Sequence, residues 1–581
     1  MDFPLLIVGL SRNFRKIIMR AGGCMLDKAG STDKPAANNG ATVSRVGVLM
    51  DVTGDQFTAR LDSPKEAATS TDEDKTLGQV GSYFTVRQSG WNTLVMVDRS
   101  YRVADKQGRA AHMVHLTPLG EISDKGEFTR GISHYPISGA ELHRLVDGSL
   151  AKIFSDYGDQ DFKVGHLTSF DDIGVHLDAS AFFGRHAAIL GQSGSGKSWT
   201  VTSLIQSAVK SMPNSHIILL DMHGEYGDKE VDGLVAKSPF PADKVRCFRA
   251  EELEFPYWLL AFSELTELVI NSDDENASIQ ISFLRSCMTR LRQEANDHLN
   301  IGHITVDSPL YYSMEDLIKA VKAANRETSD FGKKKSPLYG KFDEVLVRLQ
   351  SLLNDNRYDF LMRPKTRTST ESLPGLMADL VGIGDKKASI TVLDLSAVPF
   401  DVVPLVAAQI GRLCYEFNFW NPHCREFPLF LICEEAHEYI PREDIPRFRE
   451  ARRSMERISK NGRKYGVGLC VVSQRPHDVS ETVLAQCSSF ICLRISNPDD
   501  QEYVRAMVPD AARGTFAALT SLSKGEAVAL GEAVPMPVRF KIDLPDPPPN
   551  STDIDYADKW RDGGSTVDVE KLVNNWHKQE R

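Results

Sequence analysis

The sequence contains no long apolar segment and no excess of positive charge. Nowhere do about 18 apolar residues run together, the length that a membrane-spanning helix requires, and the apolar run at residues 4–10 lacks the layout of a signal peptide. We therefore expect a soluble, cytoplasmic protein with no membrane partner. The net charge of −11 excludes a generally basic nucleic-acid coat, so any DNA contact must come from a local basic surface.

Cysteine is scarce, and its spacing is not that of a metal site. The nine cysteines include no CxxC pair, the spacing that marks many zinc and redox sites. Cys433, Cys470 and Cys492 lie in apolar, strand-like runs, where a reduced, buried thiol is the simplest interpretation, and the pattern suits a reducing cytosol. His423 beside Cys424 is a weak indication of a metal site, because no second pair has ligand spacing.

Residue patterning divides the chain into four parts. Short runs of alternating apolar and polar residues predict a small N-terminal β-barrel over residues 1–175. Continuously apolar, strand-like runs follow in residues 176–261 and 386–545, which is typical of a parallel sheet covered by helices in an α/β core. Helical periodicity predicts an inserted helical bundle over residues 262–385. Residues 546–581 are predicted to form a proline-rich linker and tail with a short final helix.

The strongest local signal is a glycine-rich loop between a strand-like run and an amphipathic segment. Its spacing, GxxxxGK[ST], is that of a phosphate-binding loop, whose glycines let backbone N–H groups point at phosphate oxygens. Lys197 is expected to neutralise the β- and γ-phosphates of ATP, and the Ser198 hydroxyl to bind Mg²⁺. The strand–loop–helix setting argues against a chance match. The predicted nucleotide contacts are Gly191, Gly194, Ser195, Gly196, Lys197, Ser198 and Trp199.

Candidates for hydrolysis follow two other apolar runs. Glu434 and Glu435 end one strand-like run, and ligands of open α/β sheets bind at the carboxyl ends of the strands. Glu434 would associate with Mg²⁺, and Glu435 would act as general base toward the attacking water. The alternative is that the paired acids only solvate a strand end. Gln474 ends a second run and is predicted to sense the γ-phosphate, with capping of the next turn as the alternative.

Negative charge that develops on the γ-phosphate calls for an arginine, which a neighbouring subunit often supplies. Arg463 is the first candidate for this finger, and Arg185, just before the loop's strand, is a candidate for a second contact. Arg452, Arg453 and Arg457 lie nearby on a strongly charged, helix-like segment. A solvated basic face with pairs between residues i and i+4 is the alternative for these side chains.

Five segments resemble, in sequence and in order, those of the HerA family of hexameric DNA translocases. They are HAAILGQSGSGKS, ILLDMHGEY, FPYWLLAFSEL, LICEEAHEYI and GRKYGVGLCVVSQRP. The resemblance covers nearly the whole chain and is strongest over residues 165–545. It implies a RecA-like P-loop ATPase core with that family's small N-terminal barrel and helical insertion.

The resemblance also implies roles and partners. It implies a homohexameric ring that threads double-stranded DNA with ATP, in which Arg463 acts in trans, Glu435 is the base and Gln474 the sensor. Asp221 and Glu225 match the family's acidic motif after a strand, which orders the metal or the subunit interface, with ordinary turn chemistry as the alternative. Glu434 departs from the commoner aspartate of P-loop proteins.

A separate effector is expected, since the sequence shows no nuclease constellation of its own. HerA-like proteins act with a nuclease such as NurA, and some bacterial members resemble subunits of antiphage systems with a sirtuin-type NADase or a nuclease. The alternatives are a nucleotide-switched ring scaffold for such an effector and a membrane-linked pump of the FtsK or conjugative type, against which the lack of an apolar span argues. The basic tracts at 333–335 and 363–367 are candidate DNA contacts, with exposed solubilising loops as the simpler interpretation.

Overall fold

The computed structural model describes residues 44–578 with internal gaps. The structure leaves out residues 1–43, 63–77, 89, 105–109, 147, 159–161, 232–233, 250–251, 253, 330–333, 385, 508–516, 552–554, 562–566 and 579–581. The apolar run at residues 4–10, Cys24 and Lys333 therefore lie outside the described residues.

A closed barrel forms the N-terminal part of the described chain. Its strands are β1 Arg45–Val52, β2 Phe57–Leu61, β3 Tyr83–Gln88, β4 Trp91–Ala104, β5 Ala110–Ser123, β6 Phe128–Arg130 and β7 Glu141–Arg144. The order β2-β1-β7-β3-β4-β5 is closed by pairing of β2 with β5, and β6 flanks β5. Phe57, Ala59 and Leu61 alternate with more exposed residues along β2 and fill the interior, as the period-two pattern of a strand requires.

A large mixed sheet forms the core of the molecule. Its order is β14-β17-β11-β18-β19-β10-β20-β21-β22-β8-β9, and the seven strands from β14 to β20 are parallel. The strands are β8 Lys163–Leu167, β9 Phe170–His176, β10 Ala187–Leu190, β11 Ile217–Asp221, β14 Val245–Arg249, β17 Ile390–Asp394, β18 Leu429–Cys433, β19 Val467–Ser473, β20 Ser489–Cys492, β21 Glu526–Gly531 and β22 Val538–Ile542. Two short pairs lie outside this sheet: β12 Lys229–Val231 with β13 Leu234–Ala236, and β15 Thr328–Ser329 with β16 Lys334–Lys335.

Helices cover both faces of the parallel strands. The helices of the described chain are α1 Ser149–Tyr157, α2 Ala179–Gly184, α3 Lys197–Ser211, α4 Phe262–Val269, α5 Ala277–Ala295, α6 Met314–Asn325, α7 Asp343–Asn354, α8 Asp359–Met362, α9 Leu373–Leu380, α10 Val403–Trp420, α11 Arg449–Asn461, α12 Glu481–Leu484, α13 Pro498–Met507, α14 Tyr556–Arg561 and α15 Val569–Lys578. On β10, Ile189 joins the hydrophobic cluster that contains α3, whereas Leu190 joins the cluster that contains α10 and α11. Because both faces are covered, these strands are apolar throughout.

The helices α4 to α9 form the insertion that the sequence predicts. Their buried side chains, such as Leu284 and Leu317, belong to the same hydrophobic cluster as α10 and one face of the sheet. The insertion also carries the short β15–β16 pair, which the helical periodicity did not predict. The predicted fold class, a P-loop α/β core with a barrel and a helical bundle, is confirmed, whereas the domain boundaries stay a prediction.

The proline-rich segment after β22 lies against the core. The Asp546 backbone N–H donates to Gln206 of α3 at 3.0 Å, and the Gln206 amide donates to the carbonyl of Pro547 at 2.8 Å. Further along, Asn550 donates from its backbone to the Glu225 carbonyl at 2.8 Å and from its side chain to the Gly227 carbonyl at 3.0 Å. This segment therefore fastens the tail to the turn after β11.

Neither a membrane helix nor a preformed metal cluster is found in the described part of the chain. None of its helices combines the length and the apolar character needed to cross a bilayer. Its eight cysteines are unpaired, and Cys433, Cys470 and Cys492 are buried, as predicted. His423 is largely exposed and lies 3.9 Å from Glu426, so nothing in its surroundings indicates a metal site.

Candidate active site

The phosphate-binding loop joins β10 to the N-terminus of α3. Gly194 and Gly196 have φ angles of 72° and 105°, in the left-handed region that glycine adopts without steric strain. A Cβ atom at Gly191 would lie 2.7 Å from the Ser195 hydroxyl oxygen, so the loop also needs glycine there for close approach. The same hydroxyl donates to the Gln192 carbonyl at 2.7 Å, which closes the loop on itself.

Lys197 begins α3 and is buried among carboxylates. Its side chain is 9% exposed, and Nζ lies 3.4 Å from the Gln192 carbonyl oxygen. Burial lowers the pKa of the ammonium group, whereas the nearby charges of Glu435, Glu434 and Glu225 raise it. Both glutamates that follow β18 are therefore within electrostatic reach of the loop's lysine, as a shared nucleotide site requires.

Glu434 is held by a buried hydrogen bond from a neighbouring turn. The Tyr226 hydroxyl donates to Glu434 Oε1 at 2.5 Å. Asp221 fixes this turn, because its carboxylate accepts the backbone N–H groups of His223, Glu225 and Tyr226 at 3.2, 3.1 and 3.0 Å. Burial and then the charge of Asp221 raise the pKa of Glu434 well above its ordinary value, while the Tyr226 hydrogen bond lowers it. Asp221 thus shapes the turn that presents Tyr226 to Glu434.

Glu435 occupies an unusual backbone conformation at the end of β18. Its φ and ψ angles of 43° and 46° lie in the left-handed region, which costs a non-glycine residue about 1–3 kcal/mol and is found mainly at functional sites. The side chain is buried, yet Oε2 has no hydrogen-bond partner among the described residues. Its neighbour is His437, whose Nδ1 lies 3.4 Å away. An unpaired carboxylate oxygen in this position can accept a proton from water.

The donor set fits a magnesium ion that arrives with a nucleotide. Three buried carboxylate oxygens, one each on Glu225, Glu434 and Glu435, lack a hydrogen-bond partner in the described structure. Mg²⁺ is commonly bound by one or two protein groups, with phosphates and water completing the octahedron, so a preformed cage is not needed. Ser198, on the first turn of α3, and Glu434 are the residues that could hold it. Trp199 follows and is partly exposed, and its assignment to the nucleotide stays a prediction.

Gln474 lies beside the phosphate-binding loop. It follows β19, which is the strand between β18 and β10 in the sheet. Together with Gln192 and Ser193 it lines a polar pocket of about 470 Å³. The structure therefore brings the predicted sensor, base and lysine to one edge of the sheet, as the sequence predicts.

Arg463 and Arg185 lie at the opposite edge of the same sheet. Arg463, in the turn Gly462–Tyr465, precedes β19, and Arg185 precedes β10 and pairs with Glu532. The two arginines flank His186, whose pKa is lowered to about 4, mainly by burial and also by the charge of Arg463. Since the seven-residue strand β19 spans about 20 Å, the Arg463 guanidinium does not reach the phosphate-binding loop at the other end of the sheet.

The three arginines of α11 are engaged within the subunit. Arg452 and Arg453 pair with carboxylates about one turn away on the same helix, at 2.8 and 2.6 Å. Arg457 lies over the ring of Tyr415, 4.2 Å from its centre. In the described structure no carboxylate lies within ion-pair distance of Arg463. The solvated basic face is therefore the better interpretation of α11, and the role of Arg463 as the finger stays a prediction.

One of the two basic tracts is partly held by hydrogen bonds within the chain. In the tract at 363–367, Arg367 donates to Asp379 at 2.9 Å, and three successive backbone N–H groups donate to the buried Glu254. Arg367 is therefore not available for DNA. The tract at 333–335 is described only at its last two residues, which are exposed on β16.

Two segments of this chain match models of a known protein family. Residues 162–414 match the family model described as the central domain of helicase HerA, and residues 429–550 match that of the HerA-like C-terminal domain. The chain belongs to the HerA helicase family. As a member with an intact phosphate-binding loop, this HerA-family protein is a P-loop ATPase.

Individual relatives agree with this placement. The HerA-family chain is 26% identical to the DNA double-strand break repair helicase HerA of Sulfurisphaera tokodaii, over 76% of this chain and 80% of that protein. It is 28% identical to a probable helicase of Methanocaldococcus jannaschii, over 73% and 74% of the two chains. Similar solved structures include VirB4 of Thermoanaerobacter pseudethanolicus, at 15% identity over 67% of this chain and 97% of that one, with a TM-score of 0.43. The plasmid coupling protein TrwB gives 14% identity over 69% and 92%, with a TM-score of 0.41.

Two site residues of the HerA-family protein were missed by sequence reasoning. Tyr226 and His437 both lie inside motifs that drew attention for their acidic residues. Tyr226 comes five positions after Asp221, and His437 comes two positions after Glu435. A polar side chain so close in sequence to a candidate base or metal ligand could have been named as a possible site residue. The sequence spacing does not, however, predict which atoms these two side chains contact in the folded chain.

We expect the change Tyr226→Phe to raise the Mg²⁺ concentration needed for half-maximal ATPase activity by about tenfold. Groups that orient a metal ligand typically change metal affinity 10- to 100-fold when removed, and this hydroxyl holds the Glu434 carboxylate. A magnesium titration of ATPase activity measures the effect. Tyr439→Phe is the matched control, because its buried hydroxyl donates at 2.9 Å to the backbone carbonyl of the same Glu434. Equal magnesium requirements in the two variants would contradict the assignment.

Proposed function

We propose that this HerA-family protein is an ATP-driven double-stranded DNA translocase that works as a homohexameric ring. One observation carries the proposal. The parts of a hydrolytic site lie at opposite edges of one sheet. Lys197, Glu435 and Gln474 lie at one edge, and Arg463, which has no carboxylate partner among the described residues, lies at the other. We infer that Arg463 of a neighbouring subunit completes this site.

A ring follows from repeating this contact. If the Arg463 edge of one subunit faces the Lys197 edge of the next, the interface is head-to-tail, and such interfaces close into rings when the rotation permits. Each interface then contains one complete nucleotide site. Arg185 lies beside Arg463, so it would reach the same neighbour once its pair with Glu532 opens.

The chemistry assigned to each residue follows from its surroundings. The loop's N–H groups and Lys197 bind the phosphates, and bound Mg²⁺ supplies charge neutralisation at the β- and γ-phosphates. Glu435 accepts a proton from the attacking water, because its Oε2 has no donor within the described residues. Gln474 orients that water or the γ-phosphate from the end of β19. The guanidinium of Arg463 from the neighbouring subunit stabilises the charge that develops in the transition state.

Double-stranded DNA is proposed as the substrate because relatives of this chain are DNA double-strand break repair helicases by name. The acidic overall charge restricts DNA to a local basic surface such as a channel. A nuclease of the NurA type or a sirtuin-type NADase is the proposed partner, and antiphage defence in the cytoplasm the proposed setting. A nucleotide-switched scaffold for that effector is the competing function.

ATP hydrolysis measured with and without linear duplex DNA separates the two functions. A translocase is expected to turn over several-fold faster with DNA, and this stimulation should fall steeply between about 50 and 200 mM salt because phosphate contacts release counterions. Lys197→Ala, measured alongside, sets the background. The mass of the same sample reports the subunit number. Turnover that does not respond to DNA, but does respond to an added effector encoded by the adjacent gene, would favour the scaffold.

A further inference from the structure

His437 lies between the proposed base and the strand of the proposed sensor. It belongs to the single turn Ala436–Glu438, directly after Glu435, and is mostly buried. Its Nδ1 lies 3.3 Å from the Ser473 hydroxyl and 3.4 Å from Glu435 Oε2, and its Nε2 lies 3.3 Å from Glu438 Oε1. One imidazole therefore contacts the end of β18 and the end of β19.

The contacts of Ser473 and Glu438 are compatible with a neutral imidazole that carries its proton on Nε2. Ser473 Oγ already accepts the backbone N–H of Arg475 at 3.0 Å, and its own proton is free to point at His437 Nδ1. When Ser473 donates to Nδ1, the proton of the neutral ring is on Nε2, which faces Glu438. Burial lowers the pKa of His437, which favours this neutral form. In this arrangement His437 offers no proton to Glu435, whose buried Oε2 keeps no hydrogen-bond partner among the described residues.

The chain segments that follow the two strands are joined further along. The Ser480 backbone N–H donates to the Ile440 carbonyl at 2.9 Å, and the Arg442 N–H donates to the Asp478 carbonyl at 2.7 Å. These bonds form a short antiparallel ladder beside the active site. These bonds and the His437–Ser473 contact join the loop that carries Glu435 to the loop that begins at Gln474.

We propose that His437 is a positioning residue for ATP hydrolysis: through Nδ1 it ties the Glu435 loop to Ser473, so that the base stays unpaired and moves together with the adjacent Gln474. This inference rests on the proposed hydrolytic role of Glu435. It predicts a loss in the chemical step rather than in ATP binding, because none of the groups that grip the phosphates is changed.

Two amide substitutions distinguish the two ring nitrogens. In His437→Asn the amide lies close to the position of Nδ1 and can still accept from Ser473, whereas in His437→Gln it lies close to the position of Nε2 and cannot. We expect His437→Gln to lower kcat by about tenfold or more with KM for ATP within about twofold, and His437→Asn to recover most of the loss. His423→Asn, at an exposed site near Glu426, is the control for histidine replacement.

Ser473→Ala removes the hydroxyl that contacts His437 Nδ1 and changes a single heavy atom. It therefore tests the same contact if a His437 variant fails to fold. Without the hydroxyl, Nδ1 can carry the proton and pair with Glu435, and kcat should fall about as much as in His437→Gln. The double variant should be no worse than either single one, since both remove one interaction.

Glu435→Gln, measured in the same series, separates the two claims. If it still hydrolyses ATP, the assigned base is wrong and the proposed mechanism fails. If it is inactive but His437→Gln and Ser473→Ala turn over like the unchanged protein, only the role of His437 is wrong. Equal losses in His437→Asn and His437→Gln would also overturn the inference, because the ring would then be needed for its shape rather than for Nδ1.

Discussion

Replacing Glu435 with glutamine is expected to leave ATP bound and to slow its hydrolysis by about 10²- to 10⁴-fold, the range that a positioned general base contributes. The amide has nearly the size of the carboxylate, so the buried volume and the left-handed backbone at this position are kept. The amide cannot accept the proton of the attacking water. Lys197 and the phosphate-binding loop are untouched, so nucleotide affinity should change little.

Titration with a fluorescent ATP analogue and single-turnover hydrolysis on the same sample measure the two quantities separately. Lys197→Ala should give the opposite pattern, with affinity lost first, because it removes the buried cation of the loop. Glu426→Gln, on an exposed side chain, is the control for the chemical change itself. Hydrolysis near the normal rate in Glu435→Gln would require another group to act as base.

Replacing Arg463 with alanine is expected to reduce ATP hydrolysis by about 10³- to 10⁵-fold, the range that an arginine finger contributes, with a much smaller effect on ATP affinity. The side chain lies a strand length from its own loop and has no carboxylate partner in the described structure, so its loss should disturb the subunit itself very little. Arg453→Ala is the matched control, because that arginine is paired with Glu450 within the subunit.

Mixed assemblies test whether Arg463 acts across a subunit boundary. The Lys197→Ala variant keeps Arg463 but cannot grip ATP, and the Arg463→Ala variant keeps the loop but lacks the finger. When the two are combined, interfaces that pair an intact loop with an intact arginine should recover part of the activity. Absence of recovery in assemblies shown by mass to contain both variants would place the missing arginine elsewhere, with Arg185 as the next candidate.

The phosphate-binding loop could be predicted from sequence because all its parts are adjacent in the chain. Glycines, lysine and serine at fixed spacing encode a local backbone shape, and the following helix adds its dipole. The parallel sheet was predictable for a similar reason, since strands covered on both faces are apolar throughout. The edge at which Glu435 and Gln474 meet follows once their strands are parallel to β10.

Contacts between distant segments could not be predicted. The hydrogen bond from Tyr226 to Glu434 spans 208 positions, and nothing in either motif specifies the partner. The arginines illustrate the same limit. The sequence offered five candidate arginines. Only the fold shows that the three on α11 have partners within the chain, whereas Arg463 lies at the far edge of the sheet with no carboxylate partner among the described residues. The sequence likewise suggested that Arg367 is an exposed cation, whereas in the fold it pairs with Asp379.

The fastening of the tail has a practical consequence for anyone who shortens or tags this protein. Asn550 donates hydrogen bonds to the carbonyls of Glu225 and Gly227. These two residues flank Tyr226, whose hydroxyl donates to Glu434. A C-terminal truncation that removes Asn550 would release that turn. We expect it to lower ATPase activity although no residue assigned to ATP binding is changed. A fusion joined after residue 551 keeps the hydrogen bonds of Asn550 to Glu225 and Gly227.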